Sequence, residues 1–239
     1  MRVLFNRIFY LLGLVAVCLI LFWCTSLPRL REAGQYIQFK QTPDTVELPV
    51  ATDLEQCIGA PFALPTSGWI GIVYGDSILG VQNHSGLDVF GLQGNGVTPV
   101  YAAYDGYLTR YPEWTSAVII RHPNDPLQPG RQIWTYYTHM ADETGRSYIL
   151  EQIPPGTVEL PVKKGTLLGF QGDYNGNTWR AIDTHLHFSI VLDDGHGKFL
   201  NETDLNNTLD PSPYLGMRLN TFCADRPPVC RADVFCPNF

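Results

Sequence analysis

The rhythm of apolar and polar positions changes twice along the chain. From Ile8 to Pro28 there are 21 residues without a formal charge, IFYLLGLVAVCLILFWCTSLP. A helix of that length, at about 1.5 Å per residue, spans roughly 30 Å, the thickness of a bilayer's hydrocarbon core. A cleavable signal segment has a shorter apolar stretch, about 7–15 residues, that ends in small residues. Bulky Phe22 and Trp23 end this one. The pattern predicts an uncleaved N-terminal transmembrane helix within 1–28, with secretion as the alternative if the segment is cleaved. Arg2 and Arg7 precede it and Arg29 and Arg31 follow, so positive charge hardly decides its orientation. Residues 29–60 are mixed and polar and read as a linker with a short helix after Asp53.

From Pro61 the texture becomes short β-rich runs broken by Gly, Pro, Asn and Asp: WIGIVYG, SGLDVFG, TPVYAAYDGYLTRY, SAVIIRH, QIWTYYTHM, GTLLGFQG and THLHFSIVLDDG. This spacing predicts an all-β fold with many turns over 61–216. No long helical period interrupts it. The stretch NETDLNNTLDPSPYL predicts a short helix or turn closed by Asp210-Pro211.

Composition sharpens the picture. The chain has 239 residues and is 45% hydrophobic, enough for a core, while 22 Gly and 18 Pro favour a turn-rich β protein. Setting aside Arg2 and Arg7 leaves 14 basic against 23 acidic side chains, a balance of −9, which argues against nucleic acid as a partner.

Cys18 and Cys24 sit in the apolar run as small fillers. Three of the other four, Cys223, Cys230 and Cys236, crowd a Pro-rich tail over 217–239, for which disulfides are a natural staple. Four thiols allow three pairings. Every fully oxidised pairing joins Cys57 to the tail, and an oxidising, extracytoplasmic compartment follows. The tail lacks a CxxC pair, which disfavours a zinc knuckle.

Three elements could carry chemistry. In the alternating strand from Thr184, His185 and His187 share a face roughly 6.5 Å apart along the backbone, while Leu186 and Phe188 turn to the core. His84 and Asp88 would be roughly 13 Å apart in a straight strand, too far to share a zinc ion, so the chain must bend between them, and Gly86 permits the bend. Two imidazoles and a carboxylate leave an open fourth position, as a catalytic zinc requires. His139 ends the run YYTHM beside a loop, well placed to face a cleft. Spacing alone does not say which of His185 and His187 would bind a metal. His122, beside Pro123, and His196, in DDGHGK, read as structural or solvated.

HxGxD near 86, YxH near 138 and HLHF near 186, in this order, resemble the LytM/lysostaphin-type zinc metalloendopeptidases. HSGLDVFG, GVTPVYAAYDGYLTRY, VKKGTLLGFQGD and LDPSPYL are similar as well, and the resemblance covers about residues 68–215. It implies a β-rich core sheet with barrel-sandwich-like hairpins and a loop-walled groove. It also implies one zinc ion held by His84, Asp88 and His187, with His139 and His185 as catalytic histidines and peptidoglycan peptides as substrate. The expected protein is a single-pass bacterial membrane protein with its catalytic domain outside. Two departures stand out: Ile182-Asp183-Thr184 where many relatives have Gly, and Ser189 where many have Glu. Tyr74 is the nearest candidate for an assisting tyrosine, and the loop 172–177 for a groove wall. Non-catalytic relatives that bind the wall or activate a partner amidase have lost ligands, and none is missing here. A biotinyl-carrier reading of the hairpins lacks a modifiable lysine at a turn tip.

Overall fold

The computed structural model describes residues 34, 35, 37, 38, 40–42, 50–77, 83–176, 182–225 and 227–235. The apolar run 8–28, with Cys18 and Cys24, lies outside the described residues, as do Asn177 and Cys236. Among the described residues no helix is long and apolar enough to cross a membrane. The chain divides into two units, Met1–Leu48 and Pro49–Phe239. In the first, the described residues between 34 and 41 are helical.

The second unit is built on β-strands: β1 (Trp69–Ile72), β2 (Leu87–Phe90), β3 (Pro99–Tyr101), β4 (Gly106–Thr109), β5 (Val118–His122), β6 (Ile133–Thr138), β7 (Leu160–Val162), β8 (Leu167–Phe170), β9 (His185–Leu192) and β10 (Thr208–Leu209). An antiparallel sheet runs β1-β2-β9-β6-β5-β4-β7, with β10 also on β9, and β3 pairs with β8 separately. The expected all-β class is what forms. The run 98–111 becomes two strands, because the chain turns between Tyr101 and Gly106. β7 includes Pro161, which cannot donate to a ladder; β7 is an edge strand, where that loss is tolerated.

Period-two alternation is clearest in β9. Leu186, Phe188 and Ile190 are fully buried in the main core with Leu87, Val89, Ile120 and Tyr137. The opposite face carries His185, His187, Ser189 and Val191. There Val191 packs with Ile119 and Trp134 under Trp114, Tyr136 and Phe199. One face of the sheet is therefore core, and the other holds histidines at one end and aromatic rings at the other.

Packing begins before residue 61. Ala51 bridges Gly68, and Cys57 and Ala60 are buried in the core. The helix expected after Asp53 is a turn, closed by Glu55 N–H to Thr52 O, with Leu54 at φ 59°. At the other end Asp210-Pro211 opens a one-turn helix, Ser212–Leu215, rather than closing one; a one-turn 3₁₀ helix, Leu205–Asn207, precedes it. Cys57 is bonded to Cys230, 173 residues away, and Cys223 is disulfide-bonded too.

His122 is structural, as its setting beside Pro123 suggests. Its Nδ1–H donates to Asp105 O at 2.8 Å and its Nε2 accepts from the Thr135 hydroxyl at 2.9 Å. Thr135 Oγ1 lies 3.2 Å from the Tyr137 hydroxyl, which accepts from Ala103 N–H. This buried chain uses a neutral imidazole, and burial takes the His122 pKa down from 6.5 to about 4. The unfolded chain therefore binds the extra proton first. The stability that neutral His122 contributes is complete above pH 6.5 and is lost as pH falls towards 4, by about 3 kcal/mol in all. In urea titrations of the purified protein, His122→Asn should flatten the acid slope between those pH values. An unchanged slope would refute the assignment.

Candidate metal centre

Three adjacent strands assemble the site. In the β2–β9 ladder Asp88 stands directly opposite His187, and Phe90 opposite His185. Cross-strand partners share a face, so the Asp88 carboxylate and the His187 ring meet by register alone. On the other side of β9, Thr138 of β6 pairs with His187, and the next residue is His139. His84 reaches the same place from the segment before β2. Gly86 is needed there for closeness rather than for an unusual φ: a Cβ on it would lie 2.3 Å from the Phe188 carbonyl oxygen. Gly172 has the same use beside the His139 turn, where a Cβ would lie 2.0 Å from Ala141 O and 2.7 Å from His139 O. His139 itself holds φ 71°, the left-handed region that few side chains occupy.

His84 Nε2, Asp88 Oδ1 and His187 Nδ1 form a triangle with edges of 2.8, 2.9 and 3.0 Å. This is close to the spacing of roughly 3.3 Å that a tetrahedral ion with bonds of about 2.0–2.1 Å imposes on its ligands. His84 Nδ1 lies 3.2 Å from Val73 O, to which it donates its proton, so Nε2 offers a lone pair. A single proton on His187 Nδ1 could serve Asp88 or His84 but leaves the third atom facing a lone pair. A divalent cation between them satisfies all three, so the donor set fits zinc or a similar metal.

The electrostatics point the same way. Burial opposes the charge on Asp88, yet the neighbouring His84 and His185 and the hydrogen bond from His187 hold its carboxyl well below the usual range. Burial likewise opposes a charged His187, but Asp88 and Glu202 outweigh it and raise its pKa to about 10. The centre draws positive charge.

His139 and His185 are different. Their rings lie 4.5 Å apart beside the triangle, and His185 Nε2 is 3.9 Å from Asp88 Oδ1. His139 Nδ1–H donates to Tyr174 O and His185 Nδ1–H to Asp183 O, each at 2.6 Å. Both tautomers are thereby fixed with Nε2 unprotonated. Burial, and the proximity of His185 and His187, takes the His139 pKa down to about 3; burial lowers that of His185 too. These are neutral bases.

The centre lies in a groove of about 750 Å³ whose lining includes Trp114, Tyr136, Tyr174, Asn175, Glu113 and Glu202. Tyr174 and Asn175 come from the loop expected as a wall. Tyr74 is not among the groove residues. Its hydroxyl donates towards Leu205 O and Thr208 O, at 3.3 and 3.2 Å, and braces that segment. Sequence reasoning did not single out Glu202, whose Oε2 is 3.4 Å from His187 Nε2 and accepts from Ser85 Oγ. It sits in a polar loop with no periodicity to mark it.

No family model matches the chain, and no curated protein matches it. Solved structures similar to it include lysostaphin and an M23 protein. The antimicrobial peptidase lysostaphin from Staphylococcus simulans is 20% identical with a TM-score of 0.39, over 69% of this chain and 55% of that one. About half of lysostaphin thus has a counterpart here. The catalytic domain of the prophage-encoded M23 protein EnpA from Enterococcus faecalis is 19% identical with a TM-score of 0.38, over 63% of this chain and 96% of that one. Csd3 from Helicobacter pylori is 16% identical with a TM-score of 0.38, over 65% and 35%. What the centre can do follows from its own side chains.

Proposed function

We propose that the chain is a zinc-dependent endopeptidase that hydrolyses peptide bonds of bacterial peptidoglycan. The observation that carries this is the convergence of two imidazole nitrogens and one carboxylate oxygen in an open groove, flanked by two neutral histidines. His84, Asp88 and His187 would hold the ion. Zinc supplies Lewis acidity there, polarising a carbonyl and bringing the pKa of water towards about 7. His139 and His185, each with Nδ1–H tied to a backbone carbonyl, present Nε2 to take a proton from the attacking water and pass it to the leaving amine. Once protonated, either ring can donate to the developing oxyanion. Peptidoglycan as substrate is supported by the ordered motifs HxGxD, YxH and HLHF.

The apolar run 8–28 would anchor the chain in the bacterial membrane, with the zinc peptidase domain outside. The Cys57–Cys230 bond supports an oxidising compartment. Full-length protein purified in detergent should carry close to one zinc per chain and release peptides from defined wall fragments, with products weighed by mass spectrometry. Absence of any bound divalent metal, or intact fragments after prolonged digestion, would overturn the reading.

A further inference from the structure

We propose that Glu202 is a positioning residue for the metal centre: it receives the Nε2–H of His187 and so aims Nδ1 at the other two ligand atoms. This rests on the metal-centre reading above. His187 is 8% exposed, and its Nδ1 is committed to Asp88 and His84. Nε2 is left as a buried donor without a well-formed hydrogen bond. The carboxylate facing it is Glu202, with Oε2 at 3.4 Å. A buried imidazole that binds a metal through one nitrogen is oriented by an acceptor at the other, which also raises its basicity as a ligand. Ser189, on the same face of β9, is buried with its hydroxyl unpartnered and offers no carboxylate.

The same Glu202 oxygen accepts from Ser85 Oγ at 3.2 Å, and Ser85 is the neighbour of His84. One carboxylate therefore links the strand that presents His187 to the segment that presents His84. Its own loop is tied down. Asp204 caps the 3₁₀ turn by accepting from Asn206 N–H, Tyr74 holds the carbonyls of Leu205 and Thr208, and β10 pairs with β9.

The test is zinc affinity of the full-length chain, measured by competition with a chromophoric chelator, so that no peptide substrate enters. Glu202→Ala should weaken zinc binding about 10- to 100-fold, the range for loss of such a partner. Glu202→Gln keeps an acceptor oxygen and should recover most of that loss. The visible spectrum of the cobalt-substituted protein should shift in Glu202→Ala and stay near native in Glu202→Gln. Glu113→Ala, which changes another acid of the groove, should leave affinity unchanged. If Glu202→Ala does not fold, Glu202→Asp, which withdraws the carboxylate by one methylene, takes its place. Native affinity in Glu202→Ala, or an equal loss in Glu202→Gln, overturns the proposal. A native chain that binds no zinc would instead overturn the metal centre itself. Native zinc binding that is lost in Asp88→Ala but unaffected in Glu202→Ala would overturn the role of Glu202 alone.

Discussion

Replacing Asp88 or His187 with alanine should remove zinc and hydrolysis together. Both residues are buried and stand opposite one another in the β2–β9 ladder, so register fixes both ligand atoms at the centre. Without Asp88, two imidazoles face each other across a site that has lost its negative charge. Without His187, the carboxylate and His84 remain, but the strand that fixes their spacing carries only a methyl group there. After dialysis both variants should hold no zinc by elemental analysis, and digestion of wall peptides should match the buffer blank. Asp88→Asn, nearly the same shape without the charge, separates loss of the ligand from loss of the fold. A full equivalent of zinc in any of the three would show that the ion sits elsewhere.

His139→Ala and His185→Ala should give the opposite pairing of results, with most of the zinc kept and hydrolysis down at least about a hundredfold, the low end for removing a positioned acid–base group. Neither ring is part of the triangle, and each has Nδ1–H fixed on a backbone carbonyl. The two rings also pack on each other at 4.5 Å, so deleting one loosens its partner as well as removing a proton acceptor. The double variant should therefore lose less than the two single losses multiplied together. Zinc content and peptide release, measured on the same preparations, decide the matter. If His185→Ala loses its metal while His187→Ala keeps it, the two roles are reversed.

Much of the sheet was legible because its strands alternate: HLHFSIVL reads as a strand with histidines on one side and Leu186 and Phe188 on the other, and so it folds. β7 and β10 were not legible, since three residues around a proline and two residues in a polar loop are too short to show a period. The separate roles of His185 and His187 came from resemblance to a family, because spacing is symmetric between them. Register breaks that symmetry by setting Asp88 against His187. Gly86 was expected to ease a bend and sits at one, but it also admits the Phe188 carbonyl, and that close approach leaves no mark in the sequence. Glu202 meets Ser85 across 117 residues, and nothing local in either segment announces the contact.

The Cys57–Cys230 bond has a consequence for load. All ten strands and the five histidine and aspartate side chains of the centre lie between those two cysteines. Tension applied to the flanking chain loads the Ala51–Gly68 bridge first and then passes from residue 57 across the sulfur–sulfur bond to residue 230, bypassing the ladders between β1 and β10. A domain tethered at one end and gripped at the other would keep its groove in register under pull, because the covalent path runs through the cysteines rather than through the strands that carry the centre. Reduction would place that segment in the force path, adding about 600 Å of extensible chain at roughly 3.5 Å per residue over a separation of 173 residues.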